Sequence, residues 1–359
     1  MIDERNTLFS RIGLTPKTVA HEQFYREHPT FEAVDEPLHG VSFALHLKLD
    51  TKLKAALFQR VQAHTDWIVK EHHRVSKCAV NSHVRSIDSN TLKQHLVALG
   101  AIDVQIVSLS PDDYYSHHGT VKDILGLALN GVAIEPKYAT AILFAFKMDT
   151  EPLHQSPYVE SYLETMRVYT QVAHAAFVLS EWFKDHGYAA SAQHREFYEL
   201  PLVPLAHKHR FGTVGMANHI LHPVFGNAIR LGAVLTSAPL PHESREPFDV
   251  RRFCRRCALC LMNCPTQAIK AHPKPNTPFY RFDEHRCFTM FQGVGTDCSL
   301  CLVSCPFSDD ALDATVVNAL KDDATIDAWL KEYLTRLGPK RRPAKPSTLK
   351  ERGTLGINL

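Results

Sequence analysis

The spacing of apolar residues changes period several times along the chain, and each change marks an element. Val41, Phe43, Leu45, Leu47 and Leu49 occupy alternate positions, which predicts a strand with one apolar face. Leu53, Leu57, Val61 and Trp67 or Ile68 then fall at helical steps and predict an amphipathic helix. A second helix and strand pair follows: a helix closing at Gly100, a natural left-handed cap, and a strand from Val104 to Ser110. From Pro111 the pattern is polar, with Tyr114 and Tyr115 ahead of Gly119, and predicts a loop leading to a short helix. Tyr138 to Met148 is continuously apolar and of strand length, as expected for a strand covered on both faces.

Beyond Pro157 the period lengthens again. Tyr162, Met166, Tyr169, Ala173, Ala176 and Phe177 recur at three- and four-residue steps, predicting a long helix that ends at Gly187 and lays its stripe on the sheet. The stretch after it carries Gly212, Gly215, Gly226 and Gly232, a pattern suited either to backbone approaching something bulky or to turns. A proline-containing linker, Ser237 to Pro247, precedes the cysteine-rich segment. Helical spacing resumes from Asp310 to Gly338, and the tail with Lys340, Arg341, Arg342 and Lys345 is basic. Strands mixed with helices ahead of a small insert predict an α+β class. The expected divisions are an N-terminal α/β region at 1–100, a core at 101–245, a cysteine-bearing module at 246–310, and C-terminal helices with a basic tail at 311–359.

Length and charge narrow the possibilities. The 359 residues exceed what a small electron carrier needs, and 40 Lys and Arg against 38 Asp and Glu leave nothing global that favours nucleic acid or an acidic membrane surface. No apolar run reaches the roughly eighteen residues of a membrane span. The N-terminus has neither a twin arginine nor an apolar leader, so a reducing, cytoplasmic setting without membrane insertion is expected. The histidines occur singly or as adjacent pairs, without the helical spacing of a metal site. Cys78 stands apart from the other cysteines and reads as a small packing residue.

The cysteines carry the chemistry. Eight of the nine lie between Cys254 and Cys305. Cys254, Cys257, Cys260 and Cys264 follow the C-x2-C-x2-C-x3-C-P spacing, in which thiolates on one tight loop each reach a different iron of a 4Fe-4S cluster. Cys287, Cys298, Cys301 and Cys305 repeat the closing half of that pattern, so two 4Fe-4S clusters are expected. In a two-cluster arrangement the last cysteine of each run serves the other cluster. That assigns Cys254, Cys257, Cys260 and Cys305 to one, and Cys264, Cys287, Cys298 and Cys301 to the second. Zinc knuckles would space their ligands as separated pairs, and disulfides would need an oxidising compartment.

From about residue 110 to 310 the sequence resembles the cobalamin-dependent reductive dehalogenases and their relative, epoxyqueuosine reductase. The resemblance rests on ordered blocks: YYSHHG, YATAILFAFKMD, VYTQVAHAAFVLSEWFKDHGYAA, FYELPLVPLA, FGNAIRLGAVLTS and the two cysteine runs. It implies a nitroreductase-like core at 101–245 that holds cobalamin (B12), followed by a ferredoxin-like module. Electrons from an external donor of ferredoxin or flavodoxin type would pass through the clusters to cobalt and reduce a small organic substrate. The resemblance further implies Tyr169 as proton donor with Arg230 as its basic partner, and Phe197, Tyr198, Gly212, Gly215 and Gly226 around the cofactor. Glu196 falls near a family acid but is expected to be solvated, and Tyr198 is also compatible with a strand residue packed on the core. Two other functions fit the same blocks: an epoxyqueuosine reductase-like enzyme acting on tRNA, and a non-catalytic protein that transfers electrons or handles cobalamin. The helical extension by which the tRNA enzymes hold their substrate is not found after the cysteines, which argues against nucleic acid as partner.

Overall fold

The computed structural model describes residues 1–39, 59–61, 63–68, 70–71, 80–119, 129–294, 297–308 and 312–341. The strand expected over 41–49, Cys78, the short helix expected after Gly119 and the tail beyond residue 341 lie outside the described residues. Part of the helix expected from Leu53 is described and is helical, at 59–61, 63–68 and 70–71.

The centre of the molecule is an antiparallel sheet of four strands: β1 (Asp103–Ser108), β2 (Thr140–Lys147), β3 (Ala190–Gln193) and β6 (Ile229–Thr236), in the order β1-β2-β6-β3. The apolar run predicted as a doubly covered strand is β2, and all but its last residue are buried. Its alternate residues feed two different cores. Ile142, Phe144 and Phe146 meet the long helix Val159–Asp185 through Val168, Val172 and Ala176, while Leu143 and Ala145 meet Phe211 and Ile220 on the other face. A strand with both faces covered cannot afford polar positions, so the usual alternation disappears. Phe144 alone, fully buried, stabilises the fold by about 2–3 kcal/mol.

The helix Ser89–Ala98 packs on the same core through Leu92 and Leu96, and Gly100 beyond it takes a φ of 101°. The second cysteine segment joins that core as well, with Met290, Val294, Cys298, Leu300 and Val303 among its members. A smaller core surrounds the first segment. There Phe253, Cys254 and Cys257 pack with Phe307 and with Ile326 and Leu330 of the C-terminal helix Asp323–Arg341. Two short hairpins, β4 (Thr213–Val214) with β5 (Ile220–Leu221) and β7 (Ile269–Pro273) with β8 (Tyr280–Phe282), flank the cysteine segments.

The described N-terminal residues form short helices, Leu8–Ile12, Val19–Glu27 and Pro29–Asp35, rather than strands. They are tied to the cysteine module by a buried charge network. Arg11 donates to Asp35 at 2.7 Å and to Glu284 at 2.8 Å, and His285 reaches the Asp35 carboxylate at 2.8 Å. Tyr25 donates to the same carboxylate at 3.1 Å. Glu284 and His285 open the helix Glu284–Val294, which carries Cys287. Among the described residues no helix is long and apolar enough to cross a membrane.

Candidate redox site

The two cysteine runs fold into the same local shape. In Cys257-x-x-Cys260 and Cys298-x-x-Cys301 the residue after the first cysteine is left-handed, Ala258 at φ 46° and Ser299 at φ 49°, and each starts a short helix, Leu259–Met262 and Leu300–Val303. Neither is glycine, and the left-handed region costs such residues roughly 1–2 kcal/mol. The conformation turns backbone N–H groups toward sulfur: Leu259 donates to Cys257 and Leu300 to Cys298, Leu261 to Cys260 and Leu302 to Cys301. Ala268 N–H donates to Cys264 Sγ at 3.2 Å.

The eight thiols form two groups of mutual neighbours. Cys305 lies in the field of Cys254, Cys260 and Cys257. Cys298 lies in that of Cys301, Cys287 and Cys264. Burial pushes Cys254 up to about 11, with Asp249 adding to the shift, and Cys257, Cys287 and Cys301 to about 12, with neighbouring sulfurs adding to theirs. Such sulfurs are stable as thiolates only against a strong positive charge. Among the described residues no three His, Cys, Asp or Glu side chains are placed to hold a single metal ion. A cubane spreads its four thiolates around a cube, and the first group, with Cys301 beside it, lines a small cavity walled by Gly215, Met216, Phe253 and Phe307.

On the side of the second group stands a charged constellation. The Tyr169 ring, on the long helix, has the Arg230 guanidinium 5.0 Å from its centre and that of Arg195 at 5.4 Å. Arg195 and Glu196 form the tip of a tight turn closed by reciprocal backbone hydrogen bonds between His194 and Phe197. Arg230, on β6, donates to Thr165 Oγ1 at 3.2 Å, and Thr165 donates to Asp297 Oδ2 at 3.3 Å. Asp297 directly precedes Cys298. Burial raises its carboxyl, opposed by Arg230 and Arg195. His219, half-buried 3.8 Å from Cys301 Sγ, is driven down to about 4 by desolvation and then by Arg230. Its Nδ1 and the Nε of Arg230 are buried donors or acceptors with no hydrogen-bond partner among the described residues.

The structure thus gathers Tyr169, Arg230 and the second thiol group, and places the other expected site residues differently. Glu196 is not solvated: it is 7% exposed, because the His194–Phe197 turn folds it inward, where it lies 3.5 Å from Arg195. Tyr198 is not a strand residue; its hydroxyl faces the buried Glu4 carboxylate, with the ring beside Tyr115. Phe197 packs against His118. Gly215 lines the cavity of the first thiol group. What approaches Gly212 and Gly226 is polypeptide. A Cβ at Gly212 would sit 2.6 Å from Leu221 O, and at Gly226, whose φ is 65°, 1.7 Å from Phe307 O. Arg195, Asp297 and Thr165 were not singled out from sequence, although the position of Asp297 beside a cysteine of the second run was a usable signal.

Comparison with known proteins places this architecture. No protein-family model matches the chain. The fold is that of solved reductive dehalogenases. It overlays the catabolic reductive dehalogenase NpRdhA with a TM-score of 0.70 at 17% identity, over 96% of this chain and 47% of that one. A second reductive dehalogenase, whose structure suggests a mechanism for B12-dependent dehalogenation, overlays with a TM-score of 0.63 at 20% identity, over 75% of this chain and 40% of that one. In sequence the chain is similar to a tetrachloroethene reductive dehalogenase of Desulfitobacterium hafniense, 27% identical over 215 residues, which are 54% of this chain and 39% of that protein. It is also similar to an epoxyqueuosine reductase of Synechococcus sp. (strain RCC307), 28% identical over 110 residues, 27% of this chain and 31% of that protein. These relatives are reductases, and the matched stretch spans well under half of their length.

Proposed function

We propose that this chain is an iron-sulfur and corrinoid-dependent reductase of the reductive dehalogenase type, acting on a small organic molecule. In this reading residues 101–245 are a nitroreductase-like body and 246–310 a ferredoxin-like module with two 4Fe-4S clusters fed by an external electron donor. The observation that carries it is the continuity of Tyr169, Arg230, Thr165 and Asp297 with Cys298, which sets a proton source beside a cluster site.

The donor set fits both groups. Two groups of four cysteines, with backbone N–H groups turned toward Cys257, Cys260, Cys264, Cys298 and Cys301, suit two clusters. The unpartnered Arg230 Nε suits a ligand rich in amide groups, which a corrinoid is. When bound, a corrinoid supplies the strongly reducing centre, and the protein supplies position, charge and protons. Tyr169 holds the proton at its hydroxyl. Arg195 and Arg230, on its ring, oppose the negative charge left on that oxygen as the proton departs to the substrate carbon. Arg230 is held in place through Thr165 by Asp297.

Anaerobic reconstitution followed by iron and cobalt analysis tests the reading. The expected result is about eight irons and one corrinoid per chain. Uptake of iron with no corrinoid at any ratio would reduce the proposal to an electron relay.

A further inference from the structure

Charge is distributed unevenly around the first thiol group. From Val250 to Phe282 the chain carries seven arginines and lysines and no aspartate or glutamate, although the two signs nearly balance over its whole length, 40 against 38. Four of the seven belong to the helix Arg251–Cys257, where helical spacing puts Phe253, Cys254 and Cys257 inward and the arginines at the surface. Two of them are spoken for: Arg252 donates to Asp323 at 3.1 Å and Arg256 to Asp327 at 2.9 Å, both on the C-terminal helix. Arg251 and Arg255 have no acidic side-chain partner among the described residues. Asp249, the acid on this side, accepts from the backbone N–H of Arg251 at 2.9 Å. The hairpin β7–β8 adjoins this face, since Tyr280 lies in the fields of Cys254, Arg255 and Arg251, and it adds Lys274 and Arg281, both exposed.

We propose that this face docks an acidic electron-carrier protein and is the entry point for electrons. The proposal rests on the cluster reading given above. Cations at the surface of the helix that supplies Cys254 and Cys257 steer an anionic partner to a face that lies directly over two cysteines of the first group. Opposite charge raises encounter rates without requiring a tight, long-lived complex. A nucleic acid would find the same charge but gain nothing from the sulfurs beneath it. The second group, joined to Tyr169 through Asp297, lies further along the route. Each productive encounter moves one electron. The carrier, a flavin hydroquinone or a reduced iron-sulfur centre, is oxidised by one electron, and the first cluster is reduced by one. No bond forms or breaks, and no proton crosses.

The test uses the iron-loaded full chain and a reduced acidic flavodoxin, with bleaching followed by stopped flow and binding by calorimetry. Iron content and bleaching by dithionite are recorded first. The wild-type rate with flavodoxin should fall as salt rises. Arg251→Glu with Arg255→Glu should lower it at least about tenfold at low salt and weaken binding, while dithionite bleaching stays unchanged. Arg251→Gln with Arg255→Gln should give a smaller loss, and Lys17→Glu with Lys137→Glu, the same change of charge elsewhere, none. Flavodoxin reduction at the wild-type rate in the arginine variants overturns the docking face. So does an equal loss in the lysine control, or loss of tRNA stem-loop binding in the arginine variants with flavodoxin reduction intact. A chain that takes up no iron sinks the cluster reading itself; one that loads iron, bleaches with dithionite and ignores the arginine changes sinks only the docking face.

Discussion

Two guanidiniums on one phenol are expensive to bring together, and the protein does so by using residues far apart in the chain. Replacing Tyr169 by Phe keeps the ring and its contacts with Arg195 and Arg230 but removes the transferable proton. Turnover should fall about 10²–10⁴-fold while iron content stays the same, and steady-state kinetics beside metal analysis would show it. Arg230 and Tyr169 are singled out by the family resemblance, through the FGNAIR block and the matching helix position, whereas periodicity alone makes Tyr169 a member of an apolar stripe. Arg195 could not be read from sequence, because its role depends on the two-residue turn between His194 and Phe197, which has no glycine, asparagine or proline to announce it. The same turn misled the reading of Glu196: an acid flanked by polar residues looks solvated until the chain reverses and folds it in. At Gly226 the reason for glycine is equally non-local. Gly226→Ala should abolish soluble expression or iron loading, because its Cβ would fall on Phe307 O in a left-handed backbone.

At the level of elements, what the sequence made legible was periodicity, and what it hid was pairing. The long helix and β2 appear where the apolar pattern predicts them, since burial on one stripe or on two faces leaves a strong signature. β3 leaves none; its four residues are half-buried except Gln193, and β6 holds it at one edge. The N-terminal helices show a related limit. Arg11 and Asp35 are fully buried, yet nothing in a stretch of mixed polar residues marks them as partners or as neighbours of Glu284. Asp35→Asn leaves the Arg11 cation buried with a weaker partner and should cost about 3–5 kcal/mol in urea denaturation. Because His285 and Glu284 begin the helix of Cys287, iron uptake by the second group should suffer in the same variant. Cys305→Ala offers a sharper division. It should halve the iron, and the loss should fall on the group of Cys254, Cys257 and Cys260.

Over the whole molecule, a second charge node ties the linker to the sheet. Asp103 at the start of β1 accepts from His222 at 2.7 Å and from Arg245 at 3.0 Å. Burial alone would raise this carboxyl, but the hydrogen bonds from His222 and Arg245 outweigh it and hold it well below the usual range. A depressed carboxyl stabilises the fold fully above its unfolded value, near pH 4, and loses that contribution as pH falls toward the folded one. Stability should therefore be flat above about pH 5 and decline steeply below about pH 4, and Asp103→Asn should flatten the acid limb in thermal melts.

The pairing of the cysteines bears on how the chain is made. Cys305 completes a set whose other members begin fifty residues earlier, and Cys264 belongs with partners not synthesised until Cys301. On the cluster reading proposed above, the first set is complete only once Cys305 has left the ribosome and the second once Cys301 has, by which time the sheet they rest on is already available. A chain stopped between Cys301 and Cys305 would then hold every sulfur of the second set while lacking one of the first.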